Sequence, residues 1–272
     1  MTASIVALAA AMAAAPASAE QLASVATRST LEEAQRLFYS GHYDGAAALA
    51  LTVRAADAGN LAALELRSSA LHFQIRRVFG TPQNKERAWK TCGSCEELLA
   101  AFVTETNLGR SMARARLNQS AVDEDALFFL GKFNLNVVWL QLATLGRRSG
   151  WSEYWEARRS LDAVLTANPQ HVRARVARAW IDYIVDTKVP WGTRWLLGGG
   201  NKKRGLQTVR EAAQVDAPPY VQAEAMFALW DMQVRERSLA DAVVTARALA
   251  QDFPDNRELT KFLDTHDLQG SR

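Results

Sequence analysis

Ser152-Glu153-Tyr154-Trp155-Glu156-Ala157-Arg158-Arg159-Ser160-Leu161-Asp162-Ala163-Val164-Leu165-Thr166-Ala167-Asn168-Pro169 reads as a helix with a marked end. Ala157, Leu161 and Val164 are spaced by four and three, so they share one face. Asn168-Pro169 stops the helix, because the residue before proline avoids the α region. A small residue at position 157 lets this helix lie close against its predecessor, and the proline ends the hairpin.

The same pattern recurs along the chain. Ala242, Ala246, Leu249 and Pro254 repeat it; Ala46, Ala50, Val53 and Ala58 repeat it without the proline; Gly205, Val209, Ala212 and Ala217 repeat it more weakly. Five residues before each small position stand Gly41, Ser152, Gly200 and Arg237, and three before it stand Tyr43, Tyr154, Lys202 and Leu239. No segment sustains the period-2 alternation of a strand. Helices are predicted near 22–39, 43–57, 61–77, 94–105, 109–118, 123–147, 153–167, 170–187, 201–215, 219–236, 239–251 and 256–265. Asn60 is a candidate cap for the third, and Asp123 or Ser120 for the long apolar one.

This spacing resembles the tetratricopeptide repeat (TPR), a helical hairpin of about 34 residues. The match is clearest at Phe38-Tyr39-Ser40-Gly41-His42-Tyr43 and at Tyr154-Trp155-Glu156-Ala157, covers about 30–60 and 140–256, and is absent over 70–125. The resemblance implies an all-α fold of antiparallel helix hairpins stacked as a TPR-like right-handed solenoid, with an irregular middle segment. It also implies a protein or peptide partner bound on a concave face. Ala157 and Gly205 stand 48 positions apart, about 14 more than the unit. The excess falls on Val189–Gly200 as an insertion.

Composition agrees with a helical domain. The 272 residues are 49% apolar and 22% charged, with 15 Gly and 7 Pro, which leaves little room for long disordered stretches. Two cysteines exclude a disulfide-scaffold fold, and a net charge of +3 is too small for a dedicated nucleic-acid binder. Residues 1–19 carry no charged side chain. The apolar run Ile5–Ala15, Pro16 and the small residues Ala17-Ser18-Ala19 have the layout of a secretory signal peptide cut before Glu20. The missing Lys or Arg in its first residues points to a true start upstream of Met1. Residues 20–272 are then one TPR-like domain, periplasmic or secreted. The apolar stretch Ala126–Leu145 is interrupted by Lys132, Asn134, Asn136 and Gln141, which suits a buried helix better than a membrane span.

The insertion holds the candidate site. Trp191 and Trp195 could anchor a partner or an apolar ligand. Arg194, Lys202 and Lys203, close to the backbone N–H groups of a helix start, would suit an anion. The bland alternative is a short helix packed on the stack, with solvated cations and glycines that only turn the chain. Arg178 and Asp182, four apart on one helix with Arg173, Arg175 and Asp186, are an ion-paired face or one wall of a groove beside the loop. No phosphate-binding Gly-Lys-Ser/Thr follows the glycines.

Cys92-Gly93-Ser94-Cys95 at a helix start reads first as a local disulfide, with thiol redox chemistry or metal binding as alternatives. His42, His72, His171 and His266 are scattered and read as surface or capping residues. No nucleophile elbow and no cofactor motif is present. The expected function is a non-enzymatic periplasmic scaffold for a protein or peptide partner of the cell envelope. The alternative is an accessory component of a solute transporter that binds an apolar or anionic small molecule between helix 126–145 and the tryptophan loop.

Overall fold

The computed structural model describes residues 19–147 and 149–266. The leader-like segment therefore lies outside the described residues, apart from Ala19. Among the described residues the fold is all-α, with twelve α-helices and no strand. They are α1 (Ala19–Tyr39), α2 (Tyr43–Ala56), α3 (Leu61–Phe79), α4 (Lys85–Thr91), α5 (Cys95–Gln119), α6 (Glu124–Trp139), α7 (Trp151–Ala167), α8 (Val172–Lys188), α9 (Lys202–Ala212), α10 (Pro219–Arg235), α11 (Leu239–Asp252) and α12 (Arg257–His266). Apart from α4, each packs on the next in chain order, and α3 also meets α6, as α8 meets α10.

The repeated positions carry the hairpins. Ala46, Ala157, Gly205 and Ala242 are all buried, and so are the residues four and seven further on: Ala50, Val53, Leu161, Val164, Val209, Ala212, Ala246 and Leu249. The small side chains bring helix pairs into close contact. A Cβ added to Gly205 would lie 2.8 Å from the carbonyl oxygen of Ala179 on α8. One added to Gly131 on α6 would lie 2.9 Å from Leu161 on α7. Helix starts follow their caps: the side chains of Asn60, Asp123, Asn201 and His171 accept from the backbone N–H groups of Ala63, Ala126, Arg204 and Ala174 at 2.9–3.1 Å.

Residues 70–125 belong to the stack. α3 packs on α2 and α5, and α5 on α6. The break expected over 106–108 is absent, since α5 runs through it. Its Gly109 serves packing instead of a restart: a Cβ there would lie 2.2 Å from the Phe133 ring. The seven-residue α4 was not expected; it is too short to show apolar periodicity. The run Glu124–Leu145 is long and apolar enough to cross a membrane, yet its apolar window is 61% buried within the protein. Its last turn widens to a π-helix over Leu140–Leu145.

The two ends of the stack meet. Tyr39, at the end of α1, stacks on Phe227 (5.4 Å) and Tyr220 (6.3 Å) and tilts against Phe253 (5.6 Å). Its carbonyl accepts a 2.6 Å hydrogen bond from Asn256 Nδ2. The first hairpin thus closes onto α10–α12.

Candidate partner-binding edge

The insertion forms one 3₁₀ turn, Trp191–Leu197, between α8 and α9. Its shape is fixed from inside. Thr193 N–H donates to the Pro190 carbonyl at 3.0 Å, and Trp195 Nε1 donates to the Gly192 carbonyl at 3.1 Å. Arg194 donates to the Val189 carbonyl at 2.9 Å and pairs with Asp186. From α7, Tyr154 Oη and Arg158 Nη1 both donate to the Leu197 carbonyl, at 2.8 and 2.9 Å, and Arg158 Nη2 donates to the Gly198 carbonyl at 2.9 Å. Leu197 is buried beneath them.

The three glycines are each required, for two reasons. Gly198 and Gly199 have φ of +72° and +74°, in the left-handed region that glycine enters freely. Gly200 passes so close to α8 that a Cβ would lie 2.6 Å from the Asp186 backbone nitrogen.

The pinned turn holds its large side chains outward. Trp191 is 85% exposed, Trp195 72%, Leu196 52% and neighbouring Trp151 54%. Behind them lies an open recess of about 310 Å³ lined by Trp151, Trp155, Val189, Thr193, Leu196 and Leu197. Single exposed apolar residues are ordinary; three exposed tryptophans on and beside one loop make it a candidate contact surface. The insertion is indeed a short helix, but its tryptophans do not pack on the stack.

The cations of the expected site are mostly committed elsewhere. Arg178 joins Asp162 of α7 (2.7 Å) to Asp182 (2.7 Å), and Arg204 reaches the other oxygen of Asp182 at 2.9 Å. These are inter-helix ties beneath the loop. Lys202 pairs with Glu236 at 2.7 Å, and its backbone N–H donates to Asp186 at 2.7 Å. The carboxylates thereby offset the unfavourable placement of Lys202 and Arg204 at a helix N-terminus. Of the basic residues singled out, Lys203 alone has no carboxylate within ion-pair distance among the described residues.

Cys92 and Cys95 form a disulfide at the start of α5, with Cys95 buried. The histidines differ from expectation in one case. His171 is a cap, but His72 is buried against Phe102 and shares a 3.1 Å hydrogen bond with Thr144 of the π-turn. Burial, with Arg76 adding to it, pushes the His72 imidazole down to about 3.

The charged centre of the stack was not foreseen. Glu65 of α3, Lys132 of α6, Arg173 of α8 and Glu224 of α10 meet inside it. Lys132 Nζ lies 2.6 Å from Glu224 and 3.8 Å from Glu65; Arg173 pairs with Glu224 and lies 3.3 Å from Glu65. The Arg173 guanidinium also sits 4.7 Å over the Phe128 ring. Burial alone would raise the Glu224 carboxyl, but Arg173 and Lys132 outweigh it and hold it at about 2. The four charges cancel, so the cluster is neutralised by its own side chains.

The recess behind the loop is lined by residues of α7 and of the insertion, and by none of α6. Phe128 and Phe129 border a separate open cavity of about 470 Å³ with His171, Arg173, Pro218 and Val221.

No protein-family model matches the chain, and no curated protein does. Among solved structures, the chain is similar to a thermophilic TPR protein of Thermus thermophilus, TTC0263. The identity is 14%, the match covers 89% of this chain and 99% of that one, and the TM-score is 0.48. The helix order and the buried repeat positions define the class: an all-α stack of TPR-like hairpins.

Proposed function

We propose that the protein is a non-enzymatic helical-repeat scaffold that binds a protein partner through the tryptophan loop. The observation that carries this reading is the exposed set Trp151, Trp191, Trp195 and Leu196 on and beside the loop. It stands in solvent on a backbone held rigid by Tyr154, Arg158 and Arg194. A pre-ordered edge loses little entropy on binding, and buried tryptophans are frequent anchors of interfaces. The centre of the stack is a poorer candidate, because the Glu65–Lys132–Arg173–Glu224 charges are already paired with one another. The leader-like residues 1–19 and the Cys92–Cys95 disulfide support a place in the periplasm or cell envelope.

The test is cross-linking in the native envelope with the tagged full chain, beside a Trp191→Ala/Trp195→Ala variant. Arg194 is left intact, because it holds the loop. One protein enriched by the parent, cross-linked to residues 189–200 and lost in the variant supports the scaffold. Equal enrichment by both proteins, or none by the parent, refutes it.

A further inference from the structure

Resting on that reading of the loop, we infer that the partner presents an acidic segment with an apolar anchor: the anchor enters the recess behind Trp151 and Leu196, and the carboxylates face the cations around it.

The charge inventory of the two flanking helices carries this. α7 and α8 hold five carboxylates: Glu153, Glu156, Asp162, Asp182 and Asp186. Every one is paired within the protein, with Arg110, Arg114, Arg178, Arg204 or Arg194. The cations are not all so used. Arg147 just before α7, Arg159 on α7 and Lys188 at the end of α8 are exposed, and none has a carboxylate within ion-pair distance among the described residues. Lys188 precedes Val189 of the recess wall, and Arg147 is four residues before Trp151 of the same wall. The edge therefore offers an apolar slot and unneutralised positive charge with no free negative charge on either helix. Such a field attracts acidic partners and repels basic ones. A recess of about 310 Å³ is at the small end for a ligand pocket but ample for one large side chain. A second copy of this chain is the poorer occupant. A two-fold contact centred on the loop would set Arg147 and Lys188 of each copy against their own kind.

A display library of random peptides of about twelve residues would be selected on the immobilised full chain, with binders to the Trp191→Ala/Trp195→Ala variant subtracted. The expected survivors are rich in Asp and Glu beside Trp, Phe or Leu. A representative survivor should bind at least about tenfold more weakly to an Arg147→Glu/Lys188→Glu variant, and more weakly as salt rises. Both substituted pairs are exposed, so matching thermal melts would confirm that the fold is intact. A neutral or basic consensus, or affinity unmoved by charge reversal, overturns the acidic partner and leaves the loop as the binding edge. No peptide surviving the subtraction overturns the peptide reading altogether. Phosphatidylglycerol vesicles are the contrast arm: binding to them without binding to peptides would make the occupant a membrane surface and sink the proposal. Dimerisation of the parent that the tryptophan variant loses would do the same in favour of a second copy.

Discussion

The centre of the stack and its tryptophan edge treat charge and apolar surface in opposite ways. At the centre, four ionised side chains from four helices neutralise one another, and Arg173 lies over Phe128. At the edge, tryptophans stand in solvent, and Arg147 and Lys188 nearby in sequence have no carboxylate within ion-pair distance among the described residues. The centre is neutralised by its own side chains, whereas the edge leaves apolar side chains in solvent. On the proposed reading, the centre serves closure of the stack and recognition is displaced to an insertion.

The largest expected effect comes from breaking the centre. Glu224→Ala leaves Arg173 and Lys132 largely buried with one remaining carboxylate, Glu65. Removing one partner of a buried ion cluster costs about 3–5 kcal/mol, and urea unfolding followed by circular dichroism would read it. Replacement of the whole cluster by apolar residues of similar volume should cost far less. A loss no larger than that of a surface substitution would show the centre to be solvated.

The second effect is pH dependence, and it separates two buried groups. His72 in the folded chain titrates at about 3, below its ordinary 6.5. The unfolded chain thus takes up this proton first. Stability is whole above pH 6.5 and falls with pH toward 3, by at most about 1.4 kcal/mol per unit. Glu224 is also depressed, from 4.5 to about 2. Its contribution is whole above pH 4.5 and is lost only as pH falls toward 2. Stability measured from pH 7 to 5 should therefore slope through His72 and not through Glu224. A His72→Gln variant should flatten that slope; an unchanged slope would assign it elsewhere.

The third effect tests how the edge is held. Gly198→Ala places a Cβ at a φ of +72° and 2.8 Å from the Arg158 guanidinium carbon. The expected cost is about 1–2 kcal/mol, read from the shift in melting temperature. The tryptophan fluorescence should change with it, since Arg158 fixes the loop carbonyls. A neutral substitution would mean the loop is not pinned.

These residues also show what was legible in the sequence. The positions Ala46, Ala157, Gly205 and Ala242 were readable because helix contact needs small residues at a fixed step, and periodicity records that need. The insertion was readable because it breaks the step. The charged centre was not. Glu65, Lys132, Arg173 and Glu224 are far apart in the chain, and periodicity says nothing of which helices converge. The one available signal was Lys132, a charge between Gly131 and Phe133 in a run otherwise too apolar for the surface. The closure through Tyr39 and Asn256 is equally long-range. His72 was misread for a related reason: its partner Thr144 sits on a π-turn that no local pattern marks. At the edge, sequence singled out the loop but could not say that Arg178, Arg194 and Lys202 are held by carboxylates, while Arg147 and Lys188 have none within ion-pair distance among the described residues.

The smallest expected effect on stability sharpens the comparison most. Trp191→Ala/Trp195→Ala removes two side chains that are 85% and 72% exposed, so the folded chain loses little buried area. Substitutions away from packed features fall within about 0.5 kcal/mol, and the melting temperature should stay near that of the parent. Partner binding should nevertheless collapse, because an anchor's worth appears only when the partner covers it. The centre has the reverse signature: Glu224→Ala should cost about 3–5 kcal/mol of stability and touch no partner directly. A tryptophan pair whose removal destabilised the chain as much as Glu224→Ala would belong to the core, and the edge would lose its claim to be a binding surface.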